Sequence, residues 1–496
     1  MESRLKKFFE GDGVWLVLIL ALVFFMRLPY AADTVIDWDE SIYFVIAQDV
    51  VHGGSLYVTS WESKGPLLFF VFTPVIKLFG NSIVALRIFT TLYLLASMFF
   101  VYLTARELFG RGVSLIAPLV YGLFFMKFGG LSSNGELFMM LPAIIAAYCF
   151  VRYSKQAQGN FLLFLCGFFS AAAVLVKSTA FFTIILFPIA LVVKKILPEY
   201  RWGKFLNDLS WYAVGGVLSS LFVLSYFLFH NSVNELFFVL FTYAQKYVGL
   251  ASAQTGFDRL VWFVKGTLKN DLITMAAFAG LLVSIPFKAE KNDRNNFFFL
   301  TALIVLSFVG VYWPRNMYDH YYLQMGLAFA LIVAFAVSRM KLDFKSLCPR
   351  NFAIFGITFV VIFSYGLMSG FLPDLKSYKD DETYKMSNFI KERTSESDKI
   401  LVIGGQPIVY FLADRKSFTR FVFWLHLKAP YADIIGSESE IMSDLHRDKP
   451  KYIVYDKSRG YEVDFLQDFI KNNYFNEAEF VQANSIVMRL NETSVG

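Results

Sequence analysis

The stretch "VWLVLILALVFFMRLPYAADTVIDWDES", residues 14–41, sets an apolar run broken only by Arg27 directly before three carboxylates, Asp37, Asp39 and Glu40, gathered around Trp38. A run of about 17–25 apolar residues is long enough to cross a ~30 Å hydrocarbon core. The preceding basic segment "RLKK" gives the run the look of a secretory signal, yet no small-x-small cleavage site follows, so it reads as a retained first helix. Comparable runs recur over the first three quarters of the chain. We expect spans near 14–30, 82–104, 113–128, 136–151, 160–176, 179–193, 209–229, 271–287, 297–312, 321–338 and 352–371.

Composition agrees. Of 496 residues 56% are hydrophobic, 18% aromatic and only 17% charged, and the mean hydropathy is +0.51. A soluble domain carries about a quarter charged residues, so this is a polytopic α-helical membrane protein. The net charge of +6 does not imply nucleic acid as a partner, because the Lys and Arg sit in loops between spans. Alternate loops hold Arg106 and Arg111, Arg152 and Lys155, then Lys194, Lys195, Arg201 and Lys204, and later Arg339, Lys341 and Lys345. The opposite loops are poorer, apart from 231–270. By the positive-inside rule the N-terminus is cytoplasmic and the C-terminus extracytoplasmic in a cell membrane, the inner or plasma membrane. Cys149, Cys166 and Cys348 fall in or beside spans, which excludes a disulfide framework and leaves no zinc-type spacing.

Residues 31–81 form a long first outer loop. Its apolar part, "PLLFFVFTPVIKLFG", is too short to span and contains Pro74 and Lys77, which suits an interfacial or re-entrant helix. Residues 231–270 form a second amphipathic outer segment. From 374 the chain turns polar. A linker and helix precede the β-rich runs "ILVIGG", "KYIVYD" and "SIVMRL", which alternate with helical patterns such as 461–472. The expected organisation is a membrane domain, 1–373, and a small extracytoplasmic α/β domain, 374–496.

The acids near 39 admit a local reading, with Asp39 as an N-cap and its neighbours solvated. Against it, an ionisable group at membrane depth costs about 2.5–3.5 kcal/mol and is usually kept for function. Further polar groups gather on the same outer face: Glu62 and Lys64 in "WESKGPLL", Asn134 and Glu136 in "SSNGELF", Lys177, and "RNMYDHYYLQ" at 315–324. A partly desolvated carboxylate can act as general base on an acceptor hydroxyl, worth about 10²–10⁴ in rate. A nearby Lys or Arg can hold a phosphate leaving group. A substrate with a phosphate at headgroup level and a tail in the bilayer fits both, and polyprenyl-phosphate sugars have that form.

The segment "DWDESIYFVIAQDVVHGGSLYVTSWESKGPLLFFVFTPVIKLFGNSIVALR" resembles the first outer loop of GT-C superfamily glycosyltransferases. It is most similar to the bacterial branch containing the protein O-mannosyltransferases and lipid A aminoarabinose transferases. The acid pair is Asp39-Glu40, the Lys-Pro-Pro-Leu-like motif is "KGPLL" at 64–68, and "LFGNSIVALR" follows at 78–87. "SNGELFMMLPA", "AVLVKSTA", "DHYYLQMGLAFAL" and "VYFLADRKSFTRF" also look like this family's segments. The resemblance implies Asp39 as general base with Glu40 as its partner, Lys64 on the donor phosphate, and Glu136 as the second acidic position. Two departures stand out. Gly65 replaces a proline found in many relatives, and Asn134-Gly135-Glu136 stands where some have an aspartate.

Other residues keep two readings. Lys177 is a topology or headgroup contact, or else a phosphate ligand. Asn134, His320, Tyr321, Tyr322 and Gln324 line a substrate site, or the tyrosines are an interfacial belt. Glu62 and His320 are candidates for a divalent metal, too few to define a site, and the sequence demands no other cofactor. His230 reads as an interfacial helix end, and Arg420 as a domain-packing ion pair or a sugar contact. Asn491-Glu492-Thr493 forms a sequon of the kind that arises by chance.

The expected activity is inverting transfer of a sugar from a polyprenyl-phosphate donor to an acceptor hydroxyl on a lipid, glycan or protein. A flippase of lipid-linked sugars is the rival, but it would set binding groups near the bilayer midplane, often in repeated halves, and the sequence has neither mid-span charges nor repeats. A sensory or scaffold role leaves the acids without a purpose.

Overall fold

The computed structural model describes residues 12–33, 35–156, 159–195, 200–250, 291–314, 318–339, 381–456, 463–481 and 485–491. Apolar helices dominate up to residue 339. They are α1 (Asp12–Arg27), α2 (Trp38–Val51), α3 (Pro66–Phe79), α4 (Ile83–Phe109), α5 (Ile116–Phe124), α6 (Gly135–Gln156), α7 (Asn160–Val176), α8 (Ala180–Ile184), α9 (Leu186–Lys195) and α10 (Trp202–Phe229). Then come α11 (Val233–Phe237), a π-helical turn, α12 (Ala244–Leu250), α13 (Lys291–Tyr312), and α14 (Gly326–Arg339) behind the 3-10 turn Asp319–Met325. Among the described residues six helices are long and apolar enough to cross a membrane, and three shorter apolar ones accompany them. Their outward faces carry Phe25, Phe222 and Phe229, 66%, 71% and 84% exposed, as expected where the solvent is hydrocarbon. The expected spans 271–287 and 352–371 lie outside the described residues. The expected span 179–193 is broken at Ile185 into α8 and α9.

Helix ends follow local chemistry. Ser82 caps α4 by accepting from the Ala85 amide at 3.2 Å, and Gly110 ends that helix at φ 84°, a conformation that favours glycine. At the C-terminal end of α1, Arg27 is buried. Its guanidinium donates to the carbonyls of Phe125 (3.2 Å), Gly130 (2.6 Å) and Leu131 (3.0 Å), and so pins the loop between α5 and α6. That loop leads to Asn134 and Glu136.

Residues 35–81, expected to form the first outer loop, are mostly helical. At 14 residues each, α2 and α3 are about 21 Å long and too short to span. They pack on one another through edge-on pairs, Phe44–Phe72 at 5.3 Å and Tyr43–Phe69 at 6.0 Å. Pro66 occupies the first helical position of α3, where its missing N–H does no harm.

Residues 381–491 contain a five-stranded sheet in the order β2-β1-β3-β5-β4, with β1 (Lys399–Ile403), β2 (Lys416–Ser417), β3 (Tyr452–Asp456), β4 (Tyr474–Val481) and β5 (Ser485–Leu490). Strand β1 runs parallel to β2 and β3, and β5 antiparallel to β3 and β4. Its helices are α15 (Glu382–Arg393), α16 (Ile408–Ala413), α17 (Tyr431–Ile435), α18 (Ser437–Arg447) and α19 (Gln467–Asn473). The unit sits on the first outer loop. Asp414 accepts from Gln48 at 2.9 Å and Asn81 at 2.8 Å, and the Trp61 amide donates to the Arg420 carbonyl at 2.8 Å. An open recess of about 930 Å³ follows this seam. Its charges are largely paired within the protein: Asp49 with Thr59 and Ser60, Arg420 with Glu440, and Arg447 with Asp444.

Candidate active site

The cleft holding the sequence-predicted acids encloses about 370 Å³ between the start of α2, the 62–64 turn, the 318–321 segment and the 423–426 segment of the C-terminal unit. Asp37 is the N-cap of α2, its side chain accepting from the Asp39 amide at 3.2 Å. The local capping role therefore falls to Asp37, and Asp39, in the first turn, is left to face the cleft. One helical turn on, the Tyr43 hydroxyl donates to Asp39 Oδ2 at 2.9 Å. Lys64 Nζ lies 3.9 Å from the same oxygen and 3.6 Å from Glu62 Oε1, while His320 Nε2 is 3.9 Å from Asp39 and its Nδ1 3.8 Å from Asp37. The Asp39 and Lys64 side chains keep 19% and 22% of their surface open. Asp37 is as open, at 24%, while His320 and Glu62 are more deeply set, at 13% and 2%.

Burial alone would raise the Asp39 carboxyl. The Lys64 ammonium, then His320 and Lys177, and the Tyr43 hydroxyl outweigh burial and hold it down to about 2. Asp37 moves the other way, raised by burial and by the charge of Asp39. Burial would lower Lys64, but Asp39, Tyr43 and Glu62 lift it well above its ordinary value. Glu62 is lowered, since Lys64 and His426 outweigh its desolvation. The cleft thus carries an ionised carboxylate beside a firmly protonated amine, and the two ionised forms sustain each other.

Glu40 is elsewhere. It is 1% exposed, ion-paired with Arg87, and accepts from the amides of Ser133 at 3.1 Å and Ile36 at 2.9 Å. Its carboxylate locks the start of α2 to α4 and to the loop before α6. Glu136 is likewise buried and ion-paired, with Lys177 at the C-cap of α7. Lys177 lies 4.6 Å from the centre of the Tyr321 ring, which lines the cleft, and its charge is met by Glu136. Asn134 donates to the Gly129 carbonyl at 2.7 Å, while its own oxygen is buried without a hydrogen bond. Tyr321 lines the cleft; Tyr322 is buried against Phe128 at 5.5 Å. Gln324 donates to the Thr179 carbonyl. Arg420 takes its packing role, donating to Glu440 and to the Tyr57 carbonyl, and His230 caps α10.

Gly65 has a steric reason. A Cβ there would overlap the Leu175 carbonyl oxygen and lie 2.7 Å from its carbon and 2.9 Å from the Val176 oxygen. The turn carrying Lys64 runs directly against the last turn of α7. Gly65 has φ −65°, which proline also adopts, so space and not backbone conformation excludes the relatives' residue.

The candidate metal pair is divided. Glu62 faces Lys64 and His426, and His320 faces Asp37 and Asp39. Among the described residues no three His, Cys, Asp or Glu side chains gather to hold a metal ion. Sequence reasoning missed Arg87, Tyr43 and His426. Tyr43 had a signal, four residues after Asp39 on one helix face; His426 had none, being 364 positions from Glu62.

The helical bundle, the acid-bearing segment 31–81 and the small C-terminal sheet form a multi-pass membrane fold of the kind seen in solved GT-C glycosyltransferase structures. A family model described as dolichyl-phosphate-mannose-protein mannosyltransferase matches residues 63–230, from the Lys64 turn to the end of α10. Among solved structures the chain is similar to ArnT from Cupriavidus metallidurans bound to undecaprenyl phosphate, with 13% identity, a TM-score of 0.66, and coverage of 98% of this chain and 99% of that one. It is also similar to the Archaeoglobus fulgidus oligosaccharyltransferase tethered with an acceptor peptide (13% identity, TM-score 0.56, 99% of this chain and 75% of that one). A third is the arabinofuranosyltransferase AftD from Mycobacteria (14% identity, TM-score 0.53, 96% and 40%). No curated protein is a significant match by sequence.

Proposed function

We propose that the chain transfers a sugar from a polyprenyl-phosphate donor to an acceptor hydroxyl, with inversion, and that Asp39 and Lys64 do the chemistry. The observation that carries this reading is their apposition at 3.9 Å in an open cleft. Family and fold support it. One structural relative is bound to undecaprenyl phosphate and another is in complex with a dolichol-phosphate.

In the resting cleft Lys64 spends its charge on Asp39 and Glu62. A donor phosphate competes for that ammonium, and as Lys64 turns to it Asp39 recovers basicity. Asp39 then takes the acceptor's hydroxyl proton, the oxygen bonds to the anomeric carbon, and the carbon–oxygen bond to phosphate breaks. The departing pair rests on the phosphate, where Lys64 balances the new charge. Attack opposite the leaving group inverts the sugar. Glu40 and Glu136, both buried in ion pairs, support the site from behind without touching substrate.

A flippase is less well supported. Glu136 stands in the first turn of α6 and Lys177 at the end of α7, so these buried charges sit at helix ends and not at mid-span. The reading extends to a membrane domain, 1–373, and an extracytoplasmic domain, 374–496, in a cell membrane with the N-terminus inside. The test is mass spectrometry of products formed by the full chain in nanodiscs from undecaprenyl-phosphate hexoses and pentoses, set beside envelope glycans of cells with and without the gene. Absence of any glycosylated product across donors and acceptors overturns the proposal. A C-terminal alkaline phosphatase fusion that is inactive, with a fluorescent C-terminal GFP fusion, overturns the orientation.

A further inference from the structure

His426 is 4% exposed, yet it reaches the cleft from the C-terminal unit. Its ring stands edge-on to Trp61, with centroids 4.8 Å apart, and to Phe423 at 5.5 Å, so two aromatic walls fix its plane. Its carbonyl accepts from the Ser437 hydroxyl at 2.5 Å, which fixes the backbone. One ring nitrogen, Nε2, faces Glu62 Oε2 at 3.8 Å; the other, Nδ1, is buried with no hydrogen-bond partner. A histidine kept only for packing would have its polar atoms satisfied, because an unpaired buried polar atom is destabilising. This one retains an imidazole whose polar neighbour is a single carboxylate.

That carboxylate is itself unusual. Glu62 is 2% exposed. Its Oε1 accepts from the Ser63 amide and hydroxyl, both at 2.7 Å, and faces Lys64 Nζ at 3.6 Å. Its Oε2 is turned to the His426 ring. The geometry points to a chain running His426, Glu62, Lys64, Asp39, in which the C-terminal unit sets the position of the phosphate-binding lysine. We infer that His426 is a positioning residue: through Glu62 it holds Lys64 where a donor phosphate is captured, so the cleft is complete only when the C-terminal unit is docked. The inference rests on the proposed role of Lys64.

The test compares two substitutions in the full chain, reconstituted in nanodiscs of neutral lipid. His426→Phe keeps a ring between Trp61 and Phe423 but has no polar atom for Glu62. His426→Gln gives up the ring and keeps an amide that can reach the carboxylate. The readout is the preference for undecaprenyl phosphate over undecaprenol, by native mass spectrometry at one pH. We expect His426→Phe to lose about 3–10-fold of that preference, as for the loss of one polar contact acting through a second residue, and His426→Gln to retain most of it. In Glu62→Gln the further substitution His426→Phe should have little added effect, as for two residues acting in one chain. Retention by His426→Phe with loss by His426→Gln makes the ring a packing element and overturns the inference. Equal retention by both overturns it as well. If the unsubstituted chain shows no preference for the phosphate, the role of Lys64 itself falls, a result distinct from either of these.

Discussion

Replacing Gly65 by alanine tests whether the close approach of the Lys64 turn to α7 matters for catalysis. The backbone there suits alanine, so any effect is steric. The new Cβ would meet backbone carbonyl atoms of Leu175 and Val176 at 2.7 and 2.9 Å, and neither can swing aside as a side-chain tip could. The Leu175 carbonyl oxygen lies closer still, so restoring ordinary contact requires the two segments to part by more than about 1 Å, and overpacking of this kind destabilises by about 1–3 kcal/mol. Lys64 immediately precedes Gly65 and Lys177 immediately follows Val176, so both cations move relative to Asp39. A misplacement of about 1 Å at a reacting group lowers the rate by about 10²-fold. The assay is turnover of a polyprenyl-phosphate sugar in nanodiscs beside a thermal melt. Gly203→Ala is the control, because a Cβ there meets nothing within 4 Å. Gly65→Pro should behave no better than Gly65→Ala despite its fitting φ. If Gly65→Ala turns over and melts like the parent, the close approach does not position Lys64.

Asp39→Asn should lose about two to four orders of magnitude in turnover, as for a missing general base, and should also lower the melting temperature because Lys64 loses a partner charge. Asp37→Asn should be much milder on rate, its main effect a weakened cap on α2 of at most about 1 kcal/mol. Arg87→Leu leaves Glu40 buried without its cation and should destabilise by about 3–5 kcal/mol, with partial recovery in the double variant Arg87→Leu, Glu40→Leu; unchanged melting of Arg87→Leu would remove Glu40's structural role. The pH dependence has a definite sign. The folded Asp39 carboxyl is held at about 2, below its unfolded value, so the stabilisation is present above the unfolded value and is lost as pH falls through about 2. The kcat/KM for the donor, which reports the free enzyme, should therefore show no acid limb from Asp39 above about pH 4, whereas Lys64→Gln should bring such a limb up into that range. An acid limb at the same pH in both proteins would contradict the Lys64–Asp39 coupling.

The membrane helices were legible because apolar runs and Lys/Arg asymmetry are local properties, and short α3 was legible from its length. The broken span at Ile185 was not, since α8 and α9 are both apolar and the break lies in backbone geometry. In the C-terminal unit, β1, β3 and β5 announce themselves as β-rich runs. Edge strand β4, "YFNEAEFV", mixes acids with aromatics and reads as surface. Helix α18, "SESEIMSDLHR", buries only Ser437, Ile441 and Leu445, a short and mostly polar stretch with few apolar positions to mark it. At the site, Asp39, Lys64 and His320 could be grouped because each stands in the outer layer. What the sequence could not say was which charges spend themselves on one another. The pairs Glu40–Arg87 and Glu136–Lys177 join residues about forty positions apart, and only the folded bundle shows that those carboxylates have their cations already.

The bonds from Asp414 to Gln48 and Asn81 also govern when the protein becomes itself. Gln48 leaves the ribosome 366 residues before its partner, a delay of about 20–70 s at ordinary synthesis rates. Throughout that interval the face of α2 that packs on Phe411 has nothing to rest on, and contacts of such long sequence separation are the slowest to form. The first outer loop is thus among the first segments synthesised and among the last to reach its final structure, and a chain released early would carry its acids on an unfinished surface.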